Sequence, residues 1–428
     1  MAGTDRRDLG RRRDVDVDVQ HRDPHQRRIM VVLVAAQVLS GAGLAAGITV
    51  GALLAQEMLG GTALAGLPSA LFTVGSAAAA AGVGRISDAG GRRLGLAAGY
   101  GVGALGALGV VMAAVLGNVV LLFAALVVYG AGSATNLQAR YAGADLAAPA
   151  QRGRAVSTVL LATTLGGVLG PNLTAASGAI VAPWGIPSLA GPFLLAAIAY
   201  AAAALVLGVL LRPDPLLRAR ELAIAELART ASDPAPPPVV PTRASVPVGA
   251  AIMVLTQLVM VAVMTMTPVH LAGHGHGVGV TGLVIGVHVA AMFLPSPVSG
   301  WLVDRFGPIP VAVASGVTLL AAGVLAATAP VDSVPLLTLA LALLGLGWNF
   351  GLVSGTAILA AVPLAVRART QGKVDVTIAL AGAGGGLASG IVVAAAGYPA
   401  LSLLGGLVAL LILPILAVTP VLRRRART

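Results

Sequence analysis

The chain has 428 residues, 57% of them apolar and only 10% charged, with a mean hydropathy of +0.93. Soluble domains carry about 25% charged residues, so a soluble globular protein is excluded. A formal charge of +11 brings nucleic acid to mind as a partner, but the placement of that charge argues against it. No cysteine is present, which excludes disulfides and thiolate metal sites.

Residues 1–29 form a basic tail rich in Arg and Asp, without the apolar core of a signal peptide. Its His21 and His25 read as incidental. Twelve apolar runs follow, each long enough to cross roughly 30 Å of hydrocarbon. The first six lie near 30–56, 62–83, 94–116, 118–139, 156–182 and 187–211. The second six lie near 248–271, 279–300, 309–329, 334–362, 375–396 and 399–421. Helices are the economical solution, because an open sheet leaves backbone groups unpaired in lipid and no barrel-like alternation is present. The expected fold is an all-α membrane protein of twelve transmembrane helices in two six-helix pseudo-repeats, 30–211 and 248–421. Between them, 212–247 reads as a linker with an amphipathic stretch, Leu216 to Leu227, and a stiff segment, Pro234 to Pro238. Residues 422–428 are a second basic tail.

All 27 Lys and Arg are assigned to alternate loops and the tails. This segregation is the positive-inside pattern. It places both termini in the cytoplasm and the chain in the inner (plasma) membrane. The partner is then the lipid bilayer, and nucleic acid drops out. No Walker-type loop and no nucleophile–base or paired-carboxylate constellation appears, so neither ATP nor an enzyme is indicated. No bound cofactor is implied, and a monomer is expected.

The two halves are related in sequence. Gly84-Arg-Ile-Ser-Asp88-Ala-Gly-Gly91-Arg92-Arg93 follows span two, and Gly300-Trp-Leu-Val-Asp304-Arg305-Phe-Gly307 follows span eight. Gly130-Ala-Gly132 and Gly345-Leu-Gly347 recur at nearly the same offset. Both loop copies resemble the signature of the major facilitator superfamily, Gly-x-x-x-Asp-(Arg/Lys)-x-Gly-x-(Arg/Lys)-(Arg/Lys), with Ala89 in place of the usual base. The resemblance covers nearly the whole chain. It implies a secondary transporter, in which Asp88, Arg92, Arg93, Asp304 and Arg305 with Gly84, Gly91, Gly300 and Gly307 form the gating motif. An exposed ion pair contributes little, but a helix-end carboxylate and guanidinium there would bias a rocking equilibrium by about 1 kcal/mol.

Five of the nine methionines and four of the six histidines fall between Met253 and Met292. Met260 and Met264 share one helical face, with Met253 two turns earlier, and so do His288 and Met292. Thioether and imidazole are ligands for soft or borderline metals, copper above all. Methionine is equally a flexible filler of helix interfaces, but an intramembrane histidine usually faces a cavity or a partner. The pairs resemble those of the CcoA-like copper importers, a branch of the superfamily. That resemblance implies copper as the substrate, held by Met260, Met264, His288 and Met292 and carried toward the cytoplasm. A relative within the branch is linked to riboflavin uptake, so a flavin-like organic solute is the alternative.

His270, His274 and His276 could collect a cation at the outer end of span seven, or could be solvated residues of a glycine-rich turn. Met266, Asn136, Gln257, Trp348 and Asn349 are further cavity candidates. Asp145 and Asp375 are candidates for proton coupling, with helix-end capping the plainer role; Asp145 is expected to pair with Arg140, Arg152 or Arg154. Gly166 to Asn172 resembles part of the Gly-Pro motif of drug/proton antiporters and raises proton-coupled efflux as a further alternative.

Overall fold

The computed structural model describes residues 23–59, 67–230, 245–276, 278–330 and 332–417. These are almost entirely helical, and no β-strand occurs among the described residues. The first four spans are Gln26–Leu59, Leu67–Gly90, Arg92–Leu116 and Val119–Asp145. Span five is broken into Arg152–Asn172 and Thr174–Val181, and span six is Gly191–Leu210. A surface helix, Pro215–Thr230, covers the predicted amphipathic stretch; the proline segment lies outside the described residues.

Span seven is Ser245–Gly273. Span eight is broken into Val278–Phe293 and Ser296–Phe306; spans nine and ten are Pro308–Thr328 and Val334–Leu359. The break falls at Leu294-Pro295, where a proline supplies no N–H to continue the helix. The last helical stretch, starting at Arg367, is interrupted at Gly397 (φ 82°, ψ 169°). This separates span eleven from span twelve. Nine helical stretches among the described residues are long and apolar enough to cross a membrane. One of them, 367–417, holds 51 residues. At about 1.5 Å per residue it is too long for one crossing. The all-helical fold and its twelve-span pattern agree with the sequence reading.

Several boundaries differ from that reading, among them the ends of spans two and eight, which run on to Gly90 and Phe306, and two bear on the site. Span four runs on to Asp145 rather than ending near 139, and span eleven begins at Arg367 rather than 375. Both extensions carry charged residues that an apolar run cannot reveal. The assignment of every Arg to a loop is therefore corrected. Arg92 opens span three, Arg140 lies inside span four and Arg367 opens span eleven, and all three are buried.

Small residues let the helices approach. Added Cβ atoms at Gly103 and Gly132 would fall 2.7 Å from Gly132 N and 2.3 Å from Tyr200 Cε2, so spans three, four and six close tightly around that ring. Tyr200 in turn meets Tyr100 and Tyr129 at ring-centroid separations of 5.6 and 5.7 Å.

The repeat is visible in the packing. Gly130 presses on the backbone at Phe72 O and Ser76 N, and Gly345 on His288 O and Met292 N. His288 and Met292 thus stand where the first half has Phe72 and Ser76. Gly91 (φ 89°, ψ 168°) and Gly307 (φ 85°, ψ 166°) share one backbone conformation, each three residues after the motif aspartate. That region of backbone space is essentially closed to residues with a Cβ.

Gly91→Ala is expected to destabilise the fold by about 1–3 kcal/mol. A Cβ there would also fall 2.4 Å from Asp214 Oδ2. Thermal unfolding in detergent checks this, with Gly101→Ala, at a site with open space around its Cβ position, as the near-neutral comparison.

Candidate functional site

Among the described residues, the closest contacts between the two halves lie at the basic end of the molecule. Span two packs on span eleven, and span five on the second segment of span eight. In each case a motif glycine makes the closest approach. A Cβ at Gly84 would stand 2.9 Å from Gly372 Cα, and one at Gly300 would stand 2.5 Å from Gly153 O.

Around these glycines lies a buried charge network. Arg92 Nε donates to Asp145 Oδ2 at 2.8 Å, and Arg367 Nη1 to Asp145 Oδ1 at 3.4 Å. Arg92 Nη2 also donates to Gln371 Oε1 of span eleven. One turn inward, Arg140 Nη2 donates to Asp375 Oδ1 at 2.8 Å and Nε to Thr356 Oγ1 at 3.1 Å. The Tyr141 hydroxyl donates to Asp375 Oδ1 at 3.0 Å, and its ring lies between the Arg92 and Arg140 guanidiniums, 5.7 and 4.3 Å from the centroid. Arg92, Arg140, Tyr141 and Asp145 belong to the first half; Thr356, Arg367, Gln371 and Asp375 belong to the second. Among the described residues Asp145 makes no ion pair with Arg140, Arg152 or Arg154, although Arg152 lies within its electrostatic reach. Its partners are Arg92 of span three, in its own half, and Arg367 of span eleven, in the other.

The two motif aspartates act differently. Asp304 caps span five, accepting from Gly153 N at 2.7 Å and Arg154 N at 3.0 Å, so its charge meets the positive end of that helix. Asp88 instead binds the surface helix, through Arg220 Nη2 at 2.8 Å, with Arg369 at 3.8 Å. Arg220 also reaches the Leu364 and Ala365 carbonyls of the second half. Arg93 serves the same joint by donating its backbone N–H to Asp214. Arg305 is exposed. The motif's Arg92 is thus not the exposed partner of an aspartate in its own loop; it is fully buried against span four.

The methionine–histidine region lies in the second half. Met253, Met260 and Met292 are buried in one apolar cluster, with Met264 and Met266 packed at its edge. Met253 fits against Gly355 of span ten. His288 is fully buried, and its Nδ1 lies 2.8 Å from the Leu341 carbonyl of span ten. A carbonyl only accepts, so Nδ1 carries the proton and Nε2 keeps its lone pair. That Nε2 has no hydrogen-bond partner among the described residues.

Near the far end of span seven, His270 stacks on Tyr398 (4.3 Å, 14°), and His274 Nδ1 bonds the His270 carbonyl at 2.7 Å. His276 follows in the turn beyond the helix. Among the described residues, no three His or carboxylate side chains gather as a metal-binding group.

Asn349 is buried and holds the break in span eight together, donating to Met292 O and Ser296 Oγ, both at 2.7 Å. Trp348 Nε1 donates to Gln257 Oε1 at 2.7 Å, and Phe293 meets the indole edge-on at 5.7 Å. In the first half, Asn136 belongs to a buried polar cluster with Gln37, Ser40, Tyr100 and Thr163. Sequence reasoning missed Gln37; a lone amide within an apolar run was its only signal.

The Major Facilitator Superfamily profile matches residues 33–348 and 249–428. The chain belongs to the Major Facilitator Superfamily. It is 56% identical over 398 residues to the MFS-type transporter YdeG of Bacillus subtilis (strain 168), covering 91% of each chain. It is 32% identical over 332 residues to the riboflavin transporter RfnT of Brucella anthropi, covering 77% of this chain and 79% of that one. Its fold is similar to that of the human organic anion transporter MFSD10 (TETRAN), with a TM-score of 0.74 at 18% identity, covering 92% of this chain and 100% of that one. This facilitator is a multi-pass membrane transporter and not an enzyme.

Asp145→Ala strands two buried guanidiniums and is expected to cost about 3–5 kcal/mol. The double variant Arg92→Met with Asp145→Ala leaves only Arg367 without its carboxylate and is expected to recover part of that loss. Thermal unfolding of the single and double variants checks both expectations as a double-mutant cycle.

Proposed function

We propose that this facilitator is a secondary carrier of the inner membrane that works by alternating access, with its basic end and both termini in the cytoplasm. One observation carries the reading. Among the described residues, the buried ion pairs and glycine contacts that join the halves gather at the basic end. Opening that end must break them together, which makes them a gate. The described conformation has this gate shut. Asp375 is the stronger proton-coupling candidate of the two aspartates, because its Oδ2 has no partner among the described residues, whereas both Asp145 oxygens are held. The carrier acts as a monomer made of two bundles, 30–211 and 248–421, around the 212–247 linker.

The substrate is a small organic solute with a flat aromatic part, taken up into the cell. The relationship to RfnT supports this. So does the group formed by Trp348, Phe293 and Gln257 on three neighbouring spans, which offers ring faces and an amide together. Gln257 Nε2 lies beside Gly382, where a Cβ would come within 3.1 Å of it. It has no hydrogen-bond partner among the described residues and is placed to donate to a solute.

A second reading, copper import, is favoured by His288. Its backbone-anchored Nδ1 and unpartnered Nε2 are the arrangement of a metal-ligating imidazole. Met292 lies one turn away. Against it, Met260, His288 and Met292 are only 4, 0 and 8% exposed, so an ion reaches them only after a rearrangement. The efflux reading rests on 166–172, whose side chains lie outside the described residues.

Uptake into right-side-out vesicles separates the readings. Riboflavin or a close analogue is expected to enter in a carrier-dependent manner. Gln257→Ala is expected to slow that flux about tenfold, the loss of one hydrogen bond of ~1.4 kcal/mol. Saturable copper uptake abolished by His288→Ala or Met264→Ala, with no flavin flux, would overturn the organic-solute reading in favour of the second.

A further inference from the structure

The charges at the basic-end junction do not balance. Arg92, Arg140 and Arg367 are buried there against only Asp145 and Asp375, and half-buried Arg152 lies within electrostatic reach of both Asp145 and Arg367. Four guanidiniums thus face two carboxylates. An excess of two positive charges out of water is costly unless something compensates it.

The unmet hydrogen-bonding groups point the same way. Arg92 Nη1, Arg152 Nε and Gln371 Nε2 are buried with no hydrogen-bond partner among the described residues. All three are N–H donors, and they belong to one cluster. Arg92 is bonded directly to Gln371, Gln371 follows Arg367 by one helical turn, and Arg152 and Arg367 flank the same aspartate. Unmet acceptors nearby are Asp375 Oδ2 and Gln138 Oε1, which lie on the Arg140 side, while Ser87 and Ser157 Oγ are hydroxyls that can also donate. Unpartnered buried donors in one cluster with surplus positive charge are what a small anion needs.

We propose that this junction binds a small inorganic anion of chloride size, held by Arg92, Arg152 and Gln371 between spans three, five and eleven. The ion offsets the surplus charge and ties the two halves together. A bulky organic anion does not fit, because Arg92 and Gln371 are almost wholly buried by neighbouring helices. The site is separate from the solute-binding region, and its existence does not depend on which substrate is carried.

The test uses the full-length protein in detergent at constant ionic strength, with chloride replaced stepwise by gluconate. Chloride and bromide are expected to raise Tm saturably by about 2–4 °C over gluconate, following ligand linkage. Arg152→Gln is expected to abolish the rise, and Arg152→Lys to retain part of it. Chloride-35 line broadening measured with the same samples reports binding without reference to stability. It is expected with the wild type, to be reversed by bromide, and to be lost in Arg152→Gln. Equal Tm in all anions together with no line broadening would overturn the proposal, leaving water as the partner of these donors. A rise of equal size in Arg152→Gln would also overturn it. Stabilisation by phosphate or sulfate alone would contradict the assigned ion size.

Discussion

A guanidinium buried in a chain this apolar persists only where carboxylates and other acceptors meet it. In this facilitator those acceptors come from the opposite half of the molecule as well as from its own. Arg92 of span three reaches Gln371 of span eleven, Arg140 of span four reaches Asp375 and Thr356, and Arg367 of span eleven reaches Asp145 of span four. None of these side chains can be satisfied by one bundle alone. Stability of the charged groups and closure of the basic end are therefore the same physical event. The glycines at 84, 153, 300 and 372 bring the backbones close enough for that event to occur.

The surface helix adds a second layer. Arg220 binds Asp88 in the first half and two carbonyls of the 10–11 loop in the second. Asp214 anchors the same helix to the 2–3 loop by accepting from Arg93 N, at the sharp turn made by Gly91. The linker between the bundles is thus part of the closed junction. The two pseudo-equivalent aspartates have diverged, since Asp304 caps a helix directly while Asp88 works through an arginine.

The fold was legible because apolar run length, charge placement and a repeated loop are local patterns, and a bilayer turns such patterns into helices. The gate was only half legible. Gly84, Asp88, Gly300 and Asp304 stood out through the repeated motif. The burial of Arg92 and Arg140 did not, because an arginine near the end of an apolar run looks like a loop residue until its partner is known. Asp145 shows why: its partners lie 53 and 222 residues away, a distance no short pattern encodes. The methionine and histidine pairs were visible as spacing, but the bond that orients His288 comes from the Leu341 backbone carbonyl, which sequence does not mark. Span eight reads as one run in the sequence; its break at Pro295 is bridged by Asn349 from span ten, a contact between spans that no run of apolar residues marks.

Double electron–electron resonance across the basic end tests the gate most directly. The chain has no cysteine, so Arg85→Cys in span two and Lys373→Cys in span eleven, both exposed positions, can carry nitroxides without background labelling. A closed gate gives a dominant short distance in the otherwise native protein, and a marked shift to a longer one is expected when Arg92→Gln and Asp375→Asn are added. An unchanged distance distribution in that variant would contradict the gate.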